Sequence, residues 1–170
     1  MTGENQSEDY LAKNSLGKMP LLELDDGTCI AESAAICRYL EEMNPNPPLM
    51  GRNPLEKALV EMWHRRMELE FLIPMITIFL HTGEMWKDRV TQIPQVAETG
   101  ILNVKERMEW LDKELDGKEF ITGEDYTVAD IAAQCAFVMG KAALGLRIAE
   151  DQLNLSNWFT RVSSRPTARA

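Results

Sequence analysis

An acidic residue followed by a serine stands at the start of a predicted helix, at Glu32 and Ser33. The first backbone N–H groups of a helix have no partners inside it, and the helix dipole there favours negative charge. A carboxylate would therefore bind beside Ser33, while the neighbouring Glu32 could hold an ammonium group. An acid next to an anion site suits an α-amino acid, which carries both charges. The alternative is an ordinary helix cap with Ser33 as N-cap.

A methionine followed by a proline, Met19-Pro20, is the second feature that suggests a ligand. Cis peptide bonds are rare and mostly confined to X-Pro. If this bond is cis, the Met19 backbone N–H and C=O point outward and can pair with an extended peptide. The alternative is that Pro20 simply opens a strand.

A hairpin that leads into a helix would position these residues. Leu21 to Leu24 is a short apolar strand, and Thr28 to Ile30 is predicted as the return strand. Asp25 to Gly27 predicts the turn between them, because Asp-Gly readily takes the positive φ angles of a tight hairpin. Apolar residues then follow at helical spacing and predict one face of a helix: Ile36, Tyr39, Leu40 and Met43.

The order of these parts resembles the cytosolic glutathione transferase family, in its bacterial type. The resemblance rests on Asn14 to Pro20, the strand-turn-strand, and Glu32 to Ile36. In that family the segment is the second half of a thioredoxin-like domain that binds glutathione as substrate. A strand, a helix and a second strand would precede the position of Met1, so the resemblance implies that this sequence begins inside the first domain.

The resemblance also implies roles for individual residues. Glu32 and Ser33 would hold the γ-glutamyl end of glutathione. Met19 would pair with the cysteinyl backbone next to cis-Pro20, and Lys18 would lie near the glycine carboxylate.

Prolines 45, 47 and 48 mark a domain boundary, because they stop a helix and stiffen the chain. We therefore predict a thioredoxin-like portion over 1–44, a linker over 45–53 and an all-α domain over 54–170. Leu55 to Leu80 reads as a long helix that Pro74 should kink. The predicted fold is thus mainly α, with a partial α/β portion followed by a glutathione transferase C-terminal helical bundle.

Three residues in the first half of that helix, Trp63, Arg66 and Met67, have two possible roles. The first is an ordinary helix surface with i, i+4 ion pairs. The resemblance offers the second, since this helix lines the family's electrophile pocket and part of its dimer interface. A homodimer is therefore predicted.

A capping box is predicted at Thr127, with the acid Asp130 three residues later. Gly123 to Asp130 closely resembles the capping motif of the family's C-terminal domain, where the motif serves folding. The helix behind it is apolar on nearly every side, which predicts burial in the middle of a bundle.

Composition limits the partners and the compartment. The formal net charge is −9, which argues against binding to nucleic acid or to anionic membranes. The cysteines, Cys29, Cys37 and Cys135, match no metal motif, and the last two lie in apolar helical runs that predict buried thiols. This pattern suits a reducing cytoplasm. His64 and His81 lack ligand partners at helical spacing, so no metal site is predicted.

Two functions follow from the resemblance. The complete enzyme to which this sequence belongs would conjugate glutathione to a small electrophile, as in detoxification, or carry out a glutathione-dependent reduction. The residue that activates the thiol in the family lies before the position of Met1, so no catalytic residue is assigned in this chain. The alternative is a truncated, non-catalytic module used for dimerisation or protein contacts.

Overall fold

The computed structural model describes residues 3–169, with no account of the side chain of residue 169. The chain divides into two compact units, Met1–Leu49 and Met50–Ala170, which we call the hairpin unit and the helical unit.

The hairpin unit begins with a 3-10 turn, Glu4–Gln6, and a short helix, α1, over Glu8–Lys13. Strand β1, Leu21–Glu23, pairs antiparallel with β2, Cys29–Ala31, and helix α2 follows over Ser33–Met43. The predicted order of strand, turn, strand and helix is therefore present.

The hairpin turn forms where the Asp-Gly pair predicts it. Gly27 adopts a φ of 83°, and the Leu24 N–H donates to the Thr28 carbonyl oxygen at 2.9 Å. The Asp26 Oδ1 atom accepts from the Thr28 N–H at 2.9 Å. These bonds set the register in which Leu22 faces Ile30.

The helical unit opens with α3, Pro54–Met67, whose first residue is a proline and whose N-cap Asn53 accepts a hydrogen bond from the Glu56 N–H at 3.0 Å. A π-helical segment over Glu68–Leu72 separates it from α4, Ile73–Thr82. The long helix predicted over residues 55–80 is therefore interrupted by a disturbance just before Pro74, and the kink expected at Pro74 stays a prediction. The disturbance takes the form of a widened turn, because Pro74 has no N–H for the preceding turn and its ring needs room there.

The rest of the helical unit consists of α5, Pro94–Glu114, α6, Val128–Leu144, and α7, Leu153–Ser163. Further 3-10 turns lie at Glu84–Trp86 and Pro166–Arg169. Apolar side chains from all five helices and the π-helical segment form one buried core, whose largest fully buried members include Trp158, Phe71, Met67, Met75, Ile78, Met108 and Leu111. Within residues 3–169, no helix has the length and apolar character needed to cross a membrane.

Helix α6 is less buried than its composition predicts. Ala133, Ala136 and Phe137 face the core, whereas Cys135 and Val138 are exposed. Cys37 on α2 is exposed as well. The prediction that Cys37 and Cys135 are buried is therefore wrong. When a helix is apolar on nearly every side, its sequence does not show which side faces the core. In α6 that side carries the small residues Ala133 and Ala136, which pack closely.

Candidate functional site

The hairpin register places the two predicted ligand-binding pairs at the same end of the hairpin. Leu21 lies opposite Ala31 in the antiparallel ladder. Pro20 directly precedes Leu21 and Glu32 directly follows Ala31, so Met19-Pro20 and Glu32-Ser33 flank the same end of the hairpin. Paired residues in such a ladder have Cα atoms about 5 Å apart. A peptide-sized ligand at this end can therefore reach both pairs.

The backbone at Met19 is open for pairing. The Met19-Pro20 bond is cis, which confirms the condition set from the sequence, and Asn46-Pro47 is cis as well. The Met19 side chain is exposed, and within residues 3–169 no hydrogen bond involves the Met19 backbone.

The loop before Met19 is held by side chains of the preceding residues. The Lys18 carbonyl oxygen accepts from the Tyr10 hydroxyl and from the Asn14 amide, both at 2.7 Å. The Gly17 carbonyl oxygen accepts from the Asn5 amide at 2.5 Å. These bonds fix the backbone of the loop, while the Lys18 side chain is exposed and has no carboxylate partner in the described chain.

Glu32 has an unusual backbone conformation at the start of α2. Its φ of 70° is positive, and it is the one non-glycine residue with a positive φ among residues 3–169. For a non-glycine residue, this region of φ is less favourable by on the order of 1–2 kcal/mol of conformational free energy. Backbone strain of this kind is concentrated at functional sites.

Ser33 is the first helical residue of α2, and Glu32 is its N-cap. The alternative in which Ser33 caps the helix therefore does not hold. The Glu32 side chain makes no capping hydrogen bond either, and both residues are exposed. The N–H groups of residues 33 to 35 consequently have no partner in the part of the chain that is described.

The chemistry of this helix start suits a ligand with both charges of an amino acid. The N–H groups of residues 33 to 35 and the helix dipole favour a carboxylate. The Glu32 carboxylate, which no capping role engages, is available for an ammonium group. An extended peptide attached to that amino acid would pass the Met19 backbone.

The electrophile-pocket candidates lie on the core side of α3. Met67 is fully buried, and Trp63 stacks on Trp110 with ring centroids 5.7 Å apart. The Arg66 guanidinium lies over the Trp63 ring, 4.8 Å from its centroid. These contacts show a packing role within the helical unit. Whether the three residues also line an electrophile pocket stays a prediction.

The capping box at the start of α6 is present. The Asp130 carboxylate accepts from the Thr127 N–H and from the buried Ile121 N–H, both at 2.9 Å. It also accepts from the Trp158 indole N–H at 2.9 Å. Burial raises the pKa of Asp130, and these hydrogen bonds act in the opposite direction. The sequence motif predicts the Thr127 bond but carries no signal for Ile121 or Trp158.

Among residues 3–169, no group of three or more His, Cys, Asp or Glu side chains is placed to hold a metal ion. The His81 Nδ1 atom accepts from the Ile93 N–H at 3.0 Å, so this ring nitrogen serves the loop before α5.

The fold defines the class of the protein: a thioredoxin-like portion followed by an all-helical C-terminal domain. The family model of the glutathione S-transferase N-terminal domain matches residues 1–43, and that of the C-terminal domain matches residues 63–166. This chain belongs to the glutathione S-transferase family.

Individual relatives agree with that membership. Glutathione S-transferase 2 of Saccharomyces cerevisiae is 32% identical over 170 residues, which cover 98% of this chain and 72% of that protein. The crystal structure of Gtt2 from the same yeast matches with a TM-score of 0.88 at 32% identity, over 98% of this chain and 81% of that one. A class Gtt2 glutathione S-transferase of Vibrio parahaemolyticus matches with a TM-score of 0.85 at 36% identity, over 99% and 80% of the respective chains.

Proposed function

We propose that this chain binds glutathione at the end of the hairpin that Glu32-Ser33 and Met19-Pro20 flank. The observation that carries the proposal is the exposed Glu32-Ser33 pair, whose backbone is strained and whose polar groups make no capping bond. A strained conformation without a capping role is best explained by a ligand. Membership of the glutathione S-transferase family supplies the ligand's identity.

Each part of glutathione has a proposed contact. The α-carboxylate of the γ-glutamyl residue receives hydrogen bonds from Ser33 and the N–H groups that follow it. The α-ammonium group pairs with Glu32. The cysteinyl backbone pairs with the free N–H and C=O of Met19, and the exposed Lys18 side chain meets the glycine carboxylate.

The proposed chemistry is nucleophilic transfer from the glutathione sulfur. The thiol loses its proton, the thiolate forms a bond to an electrophilic carbon, and the leaving group departs with its electron pair. The same thiolate can instead attack a mixed disulfide and release the other thiol. The residues assigned above bind and orient glutathione, and we assign none of them to the sulfur.

We also propose a homodimer located in the cytoplasm. A groove of about 560 Å³ between α4 and α5 has the exposed apolar side chains of Ile73 and Val96 in its lining, together with polar residues such as Thr77. Leu69 and Ile76 are exposed on the same run of the chain. Apolar surface of this kind suits a second copy of the chain.

The unpaired cysteines suit a reducing compartment.

Retention on immobilised glutathione tests the proposal. The full chain should bind the resin and elute with free glutathione, and Glu32→Gln should be retained more weakly. Asp25→Asn removes one negative charge at the opposite, turn end of the same hairpin and should behave like the parent protein. Turnover of a chromogenic aryl halide then reports whether the bound thiol is activated. Passage of a folded parent protein through the resin without delay would refute the proposal.

A further inference from the structure

The chain after α6 folds back against that helix. Gly145 takes a φ of 65°, a conformation that glycine adopts without strain, and the Leu146 N–H donates to the Gly140 carbonyl oxygen at 3.1 Å. A Cβ atom at Gly140 would lie 2.8 Å from the Met75 sulfur and 3.3 Å from Leu146 Cδ2. Because Gly140 has no side chain, the segment after α6 can approach that helix closely. We call this segment, residues 145–148, the returning segment.

The returning segment forms one side of a small apolar cavity in the helical unit, and this cavity is partly open to solvent. Its volume is about 150 Å³, and its apolar walls come from α5, α6, α7 and the returning segment: Met108, Phe137, Leu146, Ile148 and Phe159. An enclosed apolar cavity of about this volume accepts one benzene ring, so this partly open cavity has room for a ring of that size. The cavity thus has the size and the lining for a single aromatic ring.

Two cationic side chains, Lys141 and Arg147, complete the lining. Both residues are exposed, and neither has a carboxylate partner within ion-pair distance in residues 3–169. The Arg147 Nη1 atom donates to the Leu146 carbonyl oxygen at 3.1 Å, which leaves the remaining guanidinium N–H groups available. Two unpaired cations beside an apolar cavity are notable in a chain whose net charge is −9.

We propose that this cavity binds a single-ring aromatic carboxylate. The ring occupies the apolar cavity, and the carboxylate lies at its edge, where Lys141 and Arg147 supply the positive charge. The cavity volume sets the size of the apolar part, and the two cations set the charge of the polar part. This site uses no residue assigned to glutathione, so a test of it is independent of the proposed function.

The probe for this site is 4-methylbenzoate, titrated into the full chain labelled with ¹³C at the methionine methyl groups. Met108 lies in the cavity wall and is almost fully buried, so its methyl resonance reports occupancy directly. We expect the Met108 methyl to shift in a saturable manner. The neutral isostere 4-methylbenzamide should bind about tenfold more weakly, because it loses two exposed ion pairs. Saturating glutathione should not displace the benzoate.

A matched pair of double variants separates this site from general electrostatic attraction. Lys141→Gln with Arg147→Gln should weaken benzoate binding about tenfold and leave benzamide binding unchanged. Lys105→Gln with Lys113→Gln removes the same net charge from exposed positions on α5 that do not line the cavity, and should leave both affinities unchanged.

Several results would overturn the proposal. Absence of a saturable Met108 shift would show that the cavity takes no aromatic ring. Equal affinity for benzoate and benzamide, or equal loss in the two double variants, would show that Lys141 and Arg147 do not select an anion. Displacement by glutathione would place the benzoate at the glutathione site instead.

Discussion

Replacing Glu32 by glycine should separate stability from glutathione affinity. The side chain at this positive φ costs on the order of 1–2 kcal/mol, which glycine avoids. Glycine adds roughly 0.5–1 kcal/mol of unfolded-chain entropy, so the net change is a stabilisation of about 0–1.5 kcal/mol. No capping hydrogen bond is lost, because the Glu32 side chain makes none. The variant should therefore be as stable as the parent protein, or slightly more stable.

The same substitution should weaken glutathione binding. Glu32→Gly removes the partner proposed for the ammonium group, and an exposed ion pair contributes up to about fivefold in affinity. Glu32→Gln removes the charge but keeps the side chain and its strain. It should lose affinity to the same extent with no change in stability.

Hydrogen exchange of the β1 and β2 amides measures the local stability, and isothermal titration with glutathione measures the affinity. Asp25→Asn serves as the charge-matched control. The reasoning would be refuted if Glu32→Gly lost more than about 1 kcal/mol of stability with no loss of affinity, since Glu32 would then serve the fold.

Three further predictions concern the helical unit. Asp130→Ala should cost about 3 kcal/mol or more in urea unfolding, because buried N–H groups of Ile121 and Trp158 lose their acceptor, while glutathione affinity should stay unchanged. A cost below about 1 kcal/mol would contradict the observed network. Partial desolvation of the thiol of the exposed Cys135 raises its pKa above its usual 9.0, so the pH midpoint of its alkylation by iodoacetamide, followed by peptide mass spectrometry, should lie above 9.0. A midpoint below that value would contradict the partial desolvation of the thiol sulfur. Ile73→Glu should convert the proposed dimer into a monomer in light scattering, whereas an unchanged mass would exclude the α4 groove from the interface.

Local signals allowed the hairpin unit to be predicted in detail. The Asp-Gly pair specifies the turn through the φ of Gly27, and helical spacing from Ile36 onward specifies α2. The Thr127–Asp130 capping box is likewise a motif of neighbouring residues. In each case the interacting groups are a few positions apart, so the sequence contains the whole interaction.

Features that depend on distant partners could not be predicted. Asp130 binds Trp158, 28 residues away, and no spacing rule connects the two. The exposure of Cys135 depends on which side of α6 packs against the core. The positive φ of Glu32 has no signature in the residue itself, because glutamate rarely adopts this conformation.

The candidate site was predicted as a set of residues but not as an arrangement. Sequence placed Glu32 and Ser33 at a helix start and left open whether Ser33 was an ordinary cap. The structure shows Ser33 inside the first turn and Glu32 as an N-cap without a capping bond, and the register at Leu21 and Ala31 brings Met19-Pro20 to the same end. That juxtaposition comes from strand pairing, which local pattern does not specify.

A double cycle of protein and ligand tests the proposed contact between Glu32 and the ammonium group most directly. Isothermal titration would compare glutathione with its analogue lacking the α-amino group, each against the parent protein and Glu32→Gln. The parent protein should bind the analogue more weakly by up to about fivefold, and Glu32→Gln should bind both ligands equally. Equal discrimination between the two ligands by both proteins would show that Glu32 does not contact the amino group.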